Sequence, residues 1–144
     1  MSTRVIVREF RFPEDHSAAL KLWDAMEIGV QVGRSDTLEE IQKKLQRDPD
    51  LFLVAEINEN IVGTILGGYD GRRGMIYHLA VQASARQQGI GAMLLQAVEK
   101  RLQAKGCIKC YLLVSANNTE AMKFYEHNDW REMREDHIFG KEFP

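Results

Sequence analysis

One stretch limits what this chain can become: Met75 to Glu99, reading MIYHLAV, QASARQQGIG and AMLLQAVE. A strand-like apolar run enters a turn that closes on Gly89-Ile90-Gly91, and a helical pattern starts at once. Ile90, Met93, Leu94, Ala97, Val98 and Leu102 give that helix a broad apolar stripe, and Lys105-Gly106 ends it. Gly89 and Gly91 lack a Cβ, so the backbone can turn sharply there and come close to a ligand. The helix then opens with unpaired N–H groups and the positive end of its dipole. Together these features describe a phosphate site.

The rest of the chain says which phosphate. At 144 residues, with 44% apolar and 28% charged residues, the composition is that of one globular domain, 1–144. A net charge of −2 gives no basic footprint for nucleic acid. No apolar run approaches the roughly 20 residues that span a bilayer. MSTRVIVREF lacks the apolar core of a signal peptide, so the expected compartment is the cytoplasm. Cys107 and Cys110 are spaced C-x-x-C, but they follow a helix end at Gly106 and run into a strand. A redox pair sits at a helix N-terminus, and zinc wants four ligands; these read as small apolar packers, with no metal.

Taken in order, Thr3–Glu9 alternates as a strand, and Glu14–Glu27 carries Ala19, Leu20, Trp23 and Met26 on one helical stripe. A glycine-punctuated segment, Gly29–Asp36, leads to Thr37 and Glu40, a capping-box pair heading a short helix through Leu45. Leu51–Ile57 and Ile61–Tyr69 form a hairpin around Asn58-Glu59-Asn60, and Met75–Val81 returns as the fourth strand. Lys109–Ser115 is a fifth, nearly all apolar. Asn117-Asn118 opens a helix reaching His127, and Trp130–Phe143 suggests two closing strands around Glu135-Asp136. This order predicts a mixed α/β layer protein.

A dinucleotide fold does not fit, because Leu94 stands where a third glycine belongs and the loop follows antiparallel strands. No Gly-Lys-Ser/Thr follows, so a P-loop fails too. The chain instead resembles the GNAT superfamily of N-acetyltransferases, and within it the single-domain bacterial members related to ribosomal-protein N-terminal acetyltransferases. Leu79-Ala80-Val81 and Arg86-Gln87-Gln88-Gly89-Ile90-Gly91 match the family's small-apolar triplet and its Q/R-x-x-G-x-G/A signature. The resemblance spans essentially the whole chain. It implies a mostly antiparallel sheet of six to seven strands, splayed between the fourth and fifth, with four helices.

It also implies acetyl-CoA as cosubstrate, its pyrophosphate on the backbone N–H groups from Gln87 through Ala92. Ala92 stands where many relatives carry a basic residue, leaving more to Arg86. The pantetheine arm would pair with the edge of Leu79–Val81 as an added strand. A backbone N–H near Val81 is the natural donor to the thioester oxygen. Final strands that exchange between protomers would allow a homodimer.

Asn118 and Tyr125 lie two turns apart on one helix face, with Met122 between them. On residues alone they read as a capping residue and a core aromatic. The resemblance makes Asn118 a holder of the cofactor arm and Tyr125 the general acid that protonates the leaving thiolate. The carboxylate that many relatives carry on the fifth strand is replaced by Leu113. Relatives with a base on the fourth strand direct attention to Tyr77, expected on the face of Leu79 and Val81, whereas His78 should point the other way. Glu27 could approach from the acceptor side, and Arg34 could read an acceptor carboxylate; both fit ordinary solvated charges as well.

A lysine amine of pKa about 10.4 is neutral about 0.04% of the time at pH 7, a cost of roughly 4.6 kcal/mol. An α-amine near 7.8 is neutral about 14% of the time, costing nearer 1 kcal/mol. A site without an evident base suits a low-pKa primary amine: a peptide N-terminus, an amino acid or a small amine. Transfer would be direct, in a ternary complex, since neither cysteine is placed to carry an acyl group. The alternative is a non-catalytic acyl-CoA-binding module.

Overall fold

The computed structural model describes residues 4–144. Its elements run β1 (Val5–Glu9), α1 (His16–Asp24), α2 (Leu38–Arg47), β2 (Phe52–Ile57), β3 (Asn60–Tyr69), β4 (Gly74–Val81), α3 (Ile90–Ala104), β5 (Cys110–Leu112) and α4 (Thr119–His127). Thr3, which the alternation assigns to the first strand, lies outside the described residues. The strands form one sheet in the order β1-β2-β3-β4-β5, antiparallel except where β4 and β5 run parallel.

Both faces of the sheet are covered, and β2 shows why its sequence reads as one continuous apolar run. Leu51, Leu53 and Ala55 join a cluster with Leu94, Leu95 and Val98 of α3. Phe52 and Val54 join a second cluster with Trp23 of α1 and Ile41 of α2. Strand alternation sends neighbours to opposite layers, so a strand covered twice has no polar face. The β2–β3 turn uses Asn58 and Glu59 at φ 52° and 67°, the left-handed pair that matches strand twist in a two-residue hairpin.

The expected six to seven strands are five. Residues 128–144 contain no strand, and Ile138, Phe139 and Phe143 stay exposed. Trp130, Met133, Ile138 and Phe143 are spaced three, five and five residues apart. That spacing alternates between odd and even positions, so no extended segment turns them all to one face. Trp130 is anchored by its Nε1, donating to Glu99 of α3 at 3.0 Å, and the Phe143 carbonyl accepts from Arg34 at 3.0 Å. The fifth strand is also shorter than its apolar run, ending at Leu112.

Two irregularities in β4 position the site. Pairing with β5 is confined to Gly74↔Cys110, Met75↔Tyr111 and Ile76↔Leu112; beyond it the strands part. The β3–β4 register also slips between Thr64 and Leu66, where His78 takes φ 49° and forms a bulge. An inserted residue reverses the alternation beyond it. Ile76, Leu79 and Val81 therefore all pack with the α3 layer, while Ala80 packs with the α1–α2 layer.

Candidate active site

The bulge corrects one expectation. Tyr77 does not share a face with Leu79 and Val81; it lies on the α2 side, where a Cβ at Gly68 would meet both Lys44 Nζ (3.5 Å) and the Tyr77 ring (3.8 Å). His78 is on that side as well. Its Nε2 lies 2.8 Å from the buried carboxylate of Asp36, and its ring packs 4.7 Å from that of Trp23. The Trp23 indole N–H donates to Thr64 Oγ1 at 2.8 Å, and that hydroxyl donates to the His78 carbonyl at 2.8 Å. Asp36 also accepts the Gly33 N–H (2.9 Å). The bulge is thus tied to α1 by its backbone and to the Gly33–Asp36 turn by its side chain. Nothing in the sequence marks a bulge at His78, because the residue there is not glycine.

Beyond Ile76 and Leu112 the parted strands open a cavity of about 440 Å³. One wall is Leu79 and Val81 of β4. The floor is the glycine loop and the start of α3, with Arg86, Gln87, Gly89, Ile90, Gly91 and Ala92. The opposite wall is Leu113–Ser115 and the α4 residues Asn118, Phe124 and Tyr125. Met26, Ile28 and Gly29, after α1, form a rim that the sequence reading did not include. Gln88, Ala80 and Tyr77 do not line it.

Local geometry explains the floor. Gln87 and Gly89 take φ 66° and 77°, so the chain doubles back before α3. From Gln87 to Ala92 no backbone N–H finds a partner among the described residues; the first bonded amide is Met93, donating to Gly89 O at 3.0 Å. A run of unpaired amides at a helix N-terminus is an anion cradle. Arg86 folds across it, its Nε donating to Val81 O at 3.1 Å.

The wall carries a further free backbone N–H, beside the Val81 carbonyl that Arg86 occupies. Gln82 N–H donates to Val62 O at 2.7 Å, toward β3. The Val81 N–H, one residue back, therefore points to the edge that β5 has left. Asn118 caps α4, its Oδ1 accepting from Ala121 N–H at 3.1 Å, while its Nδ2 would lie 3.1 Å from a Cβ at Gly29. Its amide NH₂ faces the rim with its carbonyl already committed.

Tyr125 closes the far end. Its ring packs edge-on against Phe124 and Trp130, at centroid distances of 5.2 and 6.0 Å. Its hydroxyl has no hydrogen-bond partner among the described residues. Burial pushes its pKa up to about 12. The phenol is therefore a fully protonated donor at neutral pH. Cys110 sits in β5, burial pushing its thiol up to about 11, which makes it a poor nucleophile. Among the described residues no group of His, Cys, Asp or Glu could hold a metal ion, and no helix is long and apolar enough to cross a membrane.

Comparison with known proteins agrees with this geometry. The acetyltransferase (GNAT) family model matches residues 17–130. An acetyltransferase of Pectobacterium atrosepticum is 42% identical over 120 residues, covering 83% of this chain and 83% of its own. A GNAT-family acetyltransferase structure from Staphylococcus aureus Mu50 superposes with a TM-score of 0.80 at 23% identity, over 96% of this chain and 93% of that one. The PaiA N-acetyltransferase of Thermoplasma acidophilum, solved in complex with coenzyme A, gives a TM-score of 0.73 at 21% identity, covering 89% of each chain. The chain belongs to the acetyltransferase (GNAT) family and is an N-acetyltransferase.

Proposed function

We propose that this protein transfers the acetyl group of acetyl-CoA directly to a primary amine of low pKa. The observation that carries the reading is one continuous cleft, with unpaired amides at one end and an unpartnered, protonated phenol at the other. The coenzyme A bound by the Thermoplasma acidophilum neighbour supports the choice of cosubstrate.

The amides of Gln87 through Ala92 and the guanidinium of Arg86 would hold the diphosphate. The free edge of Leu79–Val81 would take the pantetheine arm as an added strand. Asn118 Nδ2 is free to hold that arm from the α4 side. The Val81 N–H would donate to the thioester oxygen as it gains charge. In the transfer the amine nitrogen bonds the acetyl carbon, the carbon–sulfur bond breaks, and the amine proton passes to water. Tyr125 supplies the proton to the departing thiolate. The burial that keeps this phenol protonated also raises the proton affinity of a thiolate formed beside it, which matches donor to acceptor.

The acceptor preference follows from the cavity wall. Leu113 stands where a carboxylate base is common, and the cavity's carboxylate, Glu120, lies five residues from Tyr125. That is about 7.5 Å along a helix axis. Tyr77, on the other side of β4, has no part in this scheme. A panel of α-amino peptides, amino acids, polyamines and aminoglycosides, followed by thiol release at pH 7, tests it. The expected order places α-amines ahead of lysine side chains; the reverse order would remove the low-pKa reading.

A further inference from the structure

Among the described strand residues, His78 alone takes a left-handed backbone, at φ 49°. A side chain in that region persists only where its surroundings over-determine it, and such outliers gather at functional sites. Two of its constraints come from β3 and α1: the Thr64 hydroxyl on its carbonyl and the Trp23 ring against its own. The third comes from Asp36, near the end of the connection between α1 and α2. That carboxylate is 5% exposed, and both its oxygens are engaged, Oδ1 by His78 Nε2 and Oδ2 by the Gly33 N–H. A carboxylate only accepts, so the bond assigns the Nε2 proton to His78. The Asp36 carbonyl lies 3.1 Å from His16 Nε2 at the head of α1, which holds the turn from its other side.

Resting on the acetyl-transfer reading above, we propose that Asp36 is a positioning residue: acting through the His78 ring, it sets the bulge and so aims the Val81 N–H at the thioester. The same carboxylate fixes the Gly33 turn of the connection whose Met26, Ile28 and Gly29 rim the cleft. Val30, between that rim and the turn, packs in one cluster with Ala80, the neighbour of Val81. The connection and the strand are thus joined at two points, one apolar and one hydrogen-bonded, and the rim and the cofactor wall keep one spacing. Apolar contact is non-directional, whereas a hydrogen bond to a carboxylate fixes distance and angle. Val81 follows the bulge by three residues, and a register change turns every residue beyond it to the other face. A bulge free to relax would carry the Val81 N–H out of reach of the developing oxyanion.

The test uses Asp36→Ala, His78→Leu, His78→Gln and the double variant Asp36→Ala/His78→Leu, each assayed with the fastest amine of the panel at a temperature where melts show it folded. Asp36→Ala and His78→Leu are expected to lower kcat about tenfold or more, because a misplaced catalytic group costs up to about 10²-fold. Both cut the same link, so the double variant should be no slower than the slower single one. Glutamine carries its amide nitrogen where histidine has Nε2, so His78→Gln keeps the bond and should stay within a few-fold of the parent. A merely structural role would lower the melting temperatures and leave kcat of the folded protein unchanged. Unchanged kcat in Asp36→Ala, additive losses in the double variant, or His78→Gln as slow as His78→Leu would each overturn the positioning and leave acetyl transfer standing. The Val81 amide resonance of the free protein gives a readout without turnover. It is expected to move beyond the scatter of the β1 amides in Asp36→Ala, which keeps the ring, and in His78→Leu relative to His78→Gln. If no amine is acetylated, the acetyl-transfer reading falls and this resonance decides the positioning alone; a Val81 amide that does not move overturns it. If Asp36→Ala does not fold, the two His78 variants decide it by the same measurements.

Discussion

The two stretches of β4 make a useful contrast. Gly74–Ile76 is hydrogen-bonded on both sides, to β3 and to β5. His78–Val81 keeps β3 alone. In the first stretch the ladder and the apolar layers hold the strand, and Ile76 is buried in the α3-side core. In the second, half the ladder is gone and side chains take over: Trp23 to Thr64, Thr64 to the His78 carbonyl, His78 to Asp36. The polar network on one face keeps the strand in place while the Val81 N–H on its edge is left without a strand partner. The site is the place where the sheet stops satisfying its own N–H and C=O groups, which must then be met by water or a ligand.

The largest effect is expected from Tyr125→Phe, which alters the chemistry of the cleft facing the freed stretch and little of its packing. Loss of a general acid lowers kcat by roughly 10²–10⁴-fold. Calorimetric titration should show unchanged coenzyme A affinity. A rate within a few-fold of the parent protein would remove Tyr125 from the reaction.

Next come two core substitutions that separate the stretches. Ile76→Ala empties a buried position in the doubly paired part and should cost about 3 kcal/mol of stability. Coenzyme A binding by the folded protein should not change. Thr64→Val strands the buried Trp23 N–H and the His78 carbonyl, at a cost of about 2 kcal/mol. For a chain of this size that is a fall in Tm of about 6 °C. Here coenzyme A affinity should fall as well, because the bulge loses its anchor beside Leu79. Thermal melts with titrations on both variants check this, and equal effects on binding would erase the distinction.

Sequence legibility divides along the same line. The doubly covered strands, the helix stripes and the loop ending at Gly91 follow from local periodicity and from the backbone freedom of glycine, both visible in a short window. That Leu79, Val81, the Gln87–Ala92 loop, Asn118 and Tyr125 face one cavity was anticipated only because a family pattern ties them together. The bulge was not, since its cause is a register slip set by β3 and by a histidine held through Asp36, 42 residues away. That slip is what moved Tyr77 off the expected face. The Met26–Gly29 rim was missed for a related reason: a loop's position over a distant helix leaves no periodic trace. The closing strands were over-read because four apolar residues at uneven spacing, Trp130, Met133, Ile138 and Phe143, were taken for strand faces.

Gly89→Ala probes the cradle with a smaller effect. A Cβ there meets nothing within 4 Å, so the loss is purely conformational, from a φ of 77°. The left-handed backbone costs alanine about 1 kcal/mol. Shared between stability and the amide geometry, that lowers coenzyme A affinity by up to about fivefold. A titration showing no change would mean that the loop amides are not the diphosphate site.

The effect of least consequence at neutral pH is expected in alkali. Burial raises Tyr125 from an ordinary 10.0 to about 12, and Cys110 from 9.0 to about 11; burial shifts Tyr77 upward as well. Each group stays protonated in the folded chain at pH values where the unfolded chain has lost its proton. The unfolded state therefore binds fewer protons, and stability falls as pH rises. The Cys110 contribution is complete below pH 9 and lost by about 11; that of Tyr125 is complete below 10 and lost by about 12. Urea midpoints should be level through neutral pH and decline above 9. Cys110→Ala should delay the onset of that decline, and Tyr125→Phe should shrink its upper part. If Tyr125→Phe left the decline above pH 10 unchanged, the phenol would be solvated, ionising at its ordinary pH, and unsuited to hold a proton for the thiolate.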